Sequence, residues 1–138
     1  MPLDPEKVAE CRAWLGRAWA DLDSAGILLG ADRPRPDTAL FHCCQQAAEK
    51  AWKAFLFWSD VPFRKTHNLR ELGEACARVD GSLASLAEWA EDLTQFAWIF
   101  RYPGEPEEPS GEEAEAALAM ARKVYEAVLS RLPTEVRP

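Results

Sequence analysis

A chain of 138 residues supports one domain with one substantial core, and a 48% hydrophobic fraction makes it globular rather than disordered. Its formal net charge of −7 argues against capture of nucleic acid by bulk electrostatics. Six Glu between Glu105 and Glu115, unaccompanied by Lys or Arg, account for all but one of those net charges, so the remaining chain is nearly neutral and has room for a local basic site.

The first helix is expected from an Asp4 cap with Pro5 at the first helical position. Its core stripe is Val8, Cys11, Leu15, Ala18, Leu22, Ala25 and Leu29, and it ends at Gly30 and Arg33-Pro34-Arg35-Pro36. Trp14 and Trp19 lie off that stripe; the sequence leaves open whether they meet another helix, another chain or solvent.

A second helix runs from near Asp37 to about Ser59, stopped by Asp60-Val61-Pro62. Leu40, Cys44, Ala47, Ala48, Ala51, Phe55 and Trp58 recur at steps of three and four, the spacing of a buried stripe. His42, Gln46, Glu49 and Lys53 form a second, polar stripe, which reads either as a solvated face or as a site.

The next segment, Phe63 to Leu72, concentrates positive charge in Arg64, Lys65 and Arg70. Asn68 with Glu71 matches a capping box that opens a short third helix. Free N–H groups there, beside His67, would suit an anion such as phosphate; plain helix capping explains the same residues. After a turn at Val79–Ser82, a fourth helix carries Leu86, Trp89, Ala90, Leu93, Phe96, Ala97 and Phe100 as an apolar stripe and ends in Arg101-Tyr102-Pro103-Gly104. Arg101 there either complements the helix dipole or reaches for phosphate. Ser110 and Glu113 form another capping box and open the fifth helix.

With no β-alternating segment, the fold class expected is all-α: an antiparallel up-and-down bundle of four to five helices, one domain over residues 4–132, and a frayed tail at 133–138. Cysteines 11, 43, 44 and 76 lack a C-x-x-C pair or zinc-type spacing and read as small, reduced core residues. The N-terminus has no basic start or apolar run, and apolar stretches such as Ala54 to Trp58 are far too short to span a membrane; a cytoplasmic protein without membrane contact is expected.

The glycine-loop, G-x-S-x-G and H-E-x-x-H motifs are missing, and two histidines without a ligand pattern predict neither metal nor cofactor. His67 is the natural proton carrier near neutral pH and, with Arg101 to stabilise developing charge, could act on a phosphodiester; its plainer role is a helix-start residue bonded to backbone.

Three segments, in order and spacing, resemble one family. Phe41-His42-Cys43-Cys44-Gln45-Gln46-Ala47-Ala48-Glu49-Lys50-Ala51-Trp52-Lys53-Ala54 resembles the second-helix signature of HEPN domains (higher eukaryote and prokaryote nucleotide-binding). Lys65-Thr66-His67-Asn68-Leu69 resembles the loop and helix start that follow it, and Arg101-Tyr102-Pro103 the end of the fourth helix. The resemblance implies a five-helix bundle that pairs into homodimers or larger homo-oligomers. It also implies a partnership with a minimal nucleotidyltransferase, many such pairs being toxin–antitoxin systems. Some relatives bind nucleotides; others are metal-independent endoribonucleases that use an Arg, four to six residues, then a His. Here no His follows Arg101. Arg35 and His42 have six residues between them, but in the first connection, not where the nuclease motif belongs. The expectation is therefore a module that binds a nucleotide or a partner through Gln46, Glu49, Lys50, Lys53, His67, Arg101 and Tyr102, without catalysis. The alternative is an endoribonuclease toxin acting on RNA through His67 and Arg101 across a homodimer. In a plainer, structural reading the polar stripe makes only a dimer interface.

Overall fold

Asp4 starts the first helix as the sequence predicts. Its Oδ1 accepts the Glu6 N–H at 2.9 Å, Pro5 takes the first helical position, and α1 (Pro5–Gly30) runs on for 26 residues. The structure, a computed structural model, describes residues 2–99 and 109–138, the side chains of 41–43 and 94–99 excepted. Among the described residues there is no strand, and the protein is an all-α bundle.

The predicted second helix is continuous in sequence but changes gauge. A single turn, α2 (Pro36–Thr38), passes into a π-helical stretch at Ala39–Gln45 and then into α3 (Gln46–Trp58). A π stretch bonds i to i+5 and widens the turn, which alters the register of the faces that follow. The helix end follows from a Schellman arrangement: the Val61 N–H reaches Leu56 O at 2.9 Å and the Asp60 N–H reaches Phe57 O at 3.1 Å. Asp60 takes the left-handed position, φ 59°, that this motif requires.

α3 is the central element. It packs on α1, on α4 (Leu69–Val79) and on α6 (Gly111–Leu129), and every residue from Ala47 to Leu56 except the half-buried Lys50 is buried. A helix enclosed on three sides buries positions that a two-faced pattern assigns to solvent. Trp52 and Leu56, off the predicted stripe, are fully buried for this reason.

α4 packs on α5 (Ala84–Ile99), which a 3-10 turn at Gly81–Leu83 introduces. The approach is close at Gly73, where an added Cβ would lie 2.9 Å from Ala87 Cβ. The predicted apolar stripe of α5 is corrected at Trp89, which is 56% exposed; Ala90 and Leu93 of that stripe are buried, as are Leu83 and Ala87, which it left out. At 3.6 residues per turn Trp89 stands about 100° round the helix from Ala90, beyond the inward arc. The Ser110–Glu113 box forms in full, with bonds of 3.0 and 3.1 Å, and opens α6. Where the sequence suggested a frayed end, a 3-10 turn at Thr134–Val136 packs on α1, with Val136 buried and the Arg12 guanidinium donating to Glu135 O.

Cys11, Cys44 and Cys76 are core residues. The Cys11 thiol donates to Ala54 O and that of Cys76 to Trp52 O, and burial pushes Cys11 up to about 11 and Cys76 higher still. Both thiols are thus held protonated and unreactive at neutral pH.

Candidate functional site

Because α3 is central, its polar residues enter the core, and each needs a partner to offset desolvation. Glu49 (4% exposed) and Lys53 (7%) sit one turn apart, with Lys53 Nζ donating to Glu49 Oε2 at 3.1 Å. The Lys53 ammonium also lies 5.9 Å from the ring centroids of both Trp14 and Phe63, within cation–π reach. Trp14 and Phe63 meet edge to face, 6.1 Å between centroids. Trp14, left open by the sequence, therefore packs within its own chain, while Trp19 is exposed.

The other carboxylate oxygen, Glu49 Oε1, lies 2.7 Å from His67 Nδ1. A carboxylate only accepts, so the imidazole carries its proton on Nδ1. The His67 side chain is 70% exposed, and Nε2 has no hydrogen-bond partner among the described residues. Gln45 secures the backbone at the same place: its Nε2 donates to His67 O at 2.8 Å, and its own Oε1 accepts from Gln46 Nε2 at 2.9 Å. A lysine, a carboxylate and two amides thereby orient one accessible imidazole.

Of the expected site residues, then, Gln46, Glu49, Lys53 and His67 come together. The polar stripe is neither a solvated face nor a dimer interface at Glu49 and Lys53; it is an internal network. Lys50 does not join it: it pairs with Asp21 of α1 at 2.6 Å. Arg101 and Tyr102 lie outside the described residues, as does the side chain of His42. The sequence reading missed Gln45, although 45, 49 and 53 are spaced by four and so share a helix face.

Of the two readings of the α4 start, the structure gives plain helix capping. Asn68 Oδ1 accepts the N–H groups of Arg70 at 2.9 Å and Glu71 at 3.3 Å, so capping consumes those donors. The return half of the box is not made: the Asn68 N–H goes to Thr66 Oγ1, and Glu71 Oε1 accepts from Arg64 Nε at 2.8 Å. Arg70 pairs with Glu74 at 3.2 Å. Lys65, exposed two residues before His67, makes no ion pair among the described residues.

The fold class is an all-helical bundle, with a polar network that runs from its central helix to a histidine at the next helix start. The HEPN domain model matches residues 11–132, and the chain belongs to that family. No curated protein and no solved structure matches the chain. No helix among the described residues is long and apolar enough to cross a membrane, and no group of three His, Cys, Asp or Glu side chains there is placed to hold a metal ion.

Proposed function

We propose that this HEPN domain is a binding module, taking a nucleotide phosphate at the His67 surface and working beside a minimal nucleotidyltransferase, in the manner of a toxin–antitoxin pair. The observation that carries the reading is the exposed imidazole held from behind by Glu49 at 2.7 Å. Such an imidazole donates to an anion when protonated, and Lys65, which makes no ion pair among the described residues, supplies a second cation nearby. Glu49, Lys53, Gln45 and Gln46 act as the support that fixes it; Arg101 and Tyr102 are proposed to complete the site, one for phosphate and one for base stacking. Lack of a His after Arg101 favours binding over cutting. Calorimetric titration with ATP tests this. His67→Ala and Arg101→Ala are each expected to weaken binding roughly tenfold, the loss of one charged hydrogen bond. Equal affinity in wild type and both variants would remove the site.

One observation favours a second reading. A buried carboxylate that orients an exposed imidazole is also the arrangement of an acid–base catalyst. With Arg101 supplied by the other protomer of a homodimer, His67 would move a proton in metal-independent RNA cleavage. Incubation of RNA with the protein in EDTA decides it: cleavage lost on His67→Ala supports this reading, and intact RNA at high protein concentration ends it.

A further inference from the structure

The outer side of α5 combines an exposed aromatic ring with a concentration of carboxylates. Trp89, 56% exposed, borders a groove of about 320 Å³ between α5 and α6. Leu93, Ala117 and Met120 give it an apolar lining, and Asp92 and Glu113 stand in its wall. Across the α5 ridge a second groove of about 380 Å³ is bordered by Glu74, Glu88 and Glu91. Against these five carboxylates stand Arg70, already paired with Glu74 and 4.0 Å from Glu91, and Lys123, drawn over the Trp89 ring at 5.8 Å.

We propose that the α5–α6 groove docks a positively charged amphipathic helix of a partner protein, with an apolar side chain seated beside Trp89 and Lys or Arg facing Asp92 and Glu113. An aromatic rim over a small-residue and methionine lining provides the anchor pocket of a helix-in-groove contact. The excess of carboxylates sets the sign of the occupant's charge. The chain's own described helices do not fit that requirement. α1 carries four carboxylates to three cations, α6 four to two, α4 two to two and α5 three to none. In α3, the two lysines are paired with Glu49 and Asp21. The occupant is thus a different protein rather than a second copy. The groove shares no described lining residue with the His67 network, and the proposal stands or falls without that site.

The test uses the full chain and a fluorescein-labelled Leu/Lys amphipathic peptide of about five helical turns, with a Leu/Glu peptide of the same pattern as control. Fluorescence anisotropy at about 0.1 M salt is expected to show binding of the first peptide only. Amide chemical-shift mapping should place it on α5 and α6. Trp89→Ala and Asp92→Asn should each weaken binding roughly tenfold or more. Trp19→Ala and Asp23→Asn should leave it unchanged. No binding, shifts that map to another surface, or an equal loss on Asp23→Asn overturns the proposal. So does a dimer in analytical ultracentrifugation that Trp89→Ala dissociates, since a second copy would then be the occupant.

Discussion

α3 and α5 break the usual rule of polarity in opposite directions. α3 carries a glutamate and a lysine into the core, while α5 carries a tryptophan and three carboxylates to its outer side. The difference follows from how much of each helix its neighbours cover. α3 packs against α1, α4 and α6, so Glu49 and Lys53 are enclosed, and they persist there because each is partnered, by the other and by His67, Trp14 and Phe63. α5 packs against α4, α6 and the π-helical stretch Ala39–Gln45, and a large side chain at Trp89 falls outside the arc they cover. Place in the bundle, rather than periodicity, decides which residues the solvent sees.

The sharpest way to break this comparison is Glu49→Ala. It strands the Lys53 ammonium and should cost about 3–5 kcal/mol, as removal of one member of a buried pair does. A clear drop in the denaturant midpoint checks it. The double substitution of Glu49→Leu with Lys53→Met removes both charges and should lose less than Glu49→Ala alone. Trp89→Ser, at the exposed end of the comparison, should shift stability by no more than about 0.5 kcal/mol. If Glu49→Ala proves equally silent, the network does not hold α3.

A smaller effect is expected at the α4–α5 contact. Gly73→Ala would set a methyl 2.9 Å from Ala87 Cβ and 3.3 Å from its Cα, so the helices must part. Overpacking of this kind costs about 1–3 kcal/mol, against the gain in helix propensity that Ala brings elsewhere. Pairing it with Ala87→Gly should restore part of the loss in thermal melts. No restoration would mean that the contact between α4 and α5 is not what excludes the methyl.

Helix starts were legible in the sequence because a cap is a local interaction. Asp4 with Pro5 and Ser110 with Glu113 open α1 and α6 where the residues indicated. The stop after α3 was legible at Asp60 for the same reason. The membership of the polar cluster was partly legible, since Gln46, Glu49, Lys53 and His67 were singled out by type and spacing. What local pattern could not convey was enclosure. The burial of Trp52 and Leu56, the pairing of Lys50 with Asp21 and the role of Gln45 all depend on which helices surround α3. The π-helical gauge of Ala39–Gln45 has no signature in residue type at all. Arg64 and Arg70 read as a free basic patch because their partners lie further along, Glu71 seven residues after Arg64 and Glu74 one turn after Arg70.

The least of the expected effects concerns a polar cluster that remains at the surface, where α5 is introduced. Asp80 accepts from the Ser82 hydroxyl at 2.6 Å and the Ser82 N–H at 3.0 Å, and Arg131 Nε donates to its other oxygen at 2.8 Å. These bonds, the Ser82 hydroxyl foremost, hold the Asp80 carboxyl below the usual carboxylate range. A carboxyl depressed in the folded state stabilises the fold above its ordinary value of about 3.9 and loses that contribution as pH falls through the depressed value. The melting temperature of wild type should therefore exceed that of Asp80→Asn by a constant amount above about pH 5, and the gap should narrow on acidification toward about pH 2. Arg131→Met should reduce the same gap without abolishing it, because the Ser82 bonds remain. A gap that is unchanged at low pH would show that Asp80 acts through its shape as a cap rather than its charge. The surface cluster would then differ from the buried Glu49 pair in kind and not only in strength.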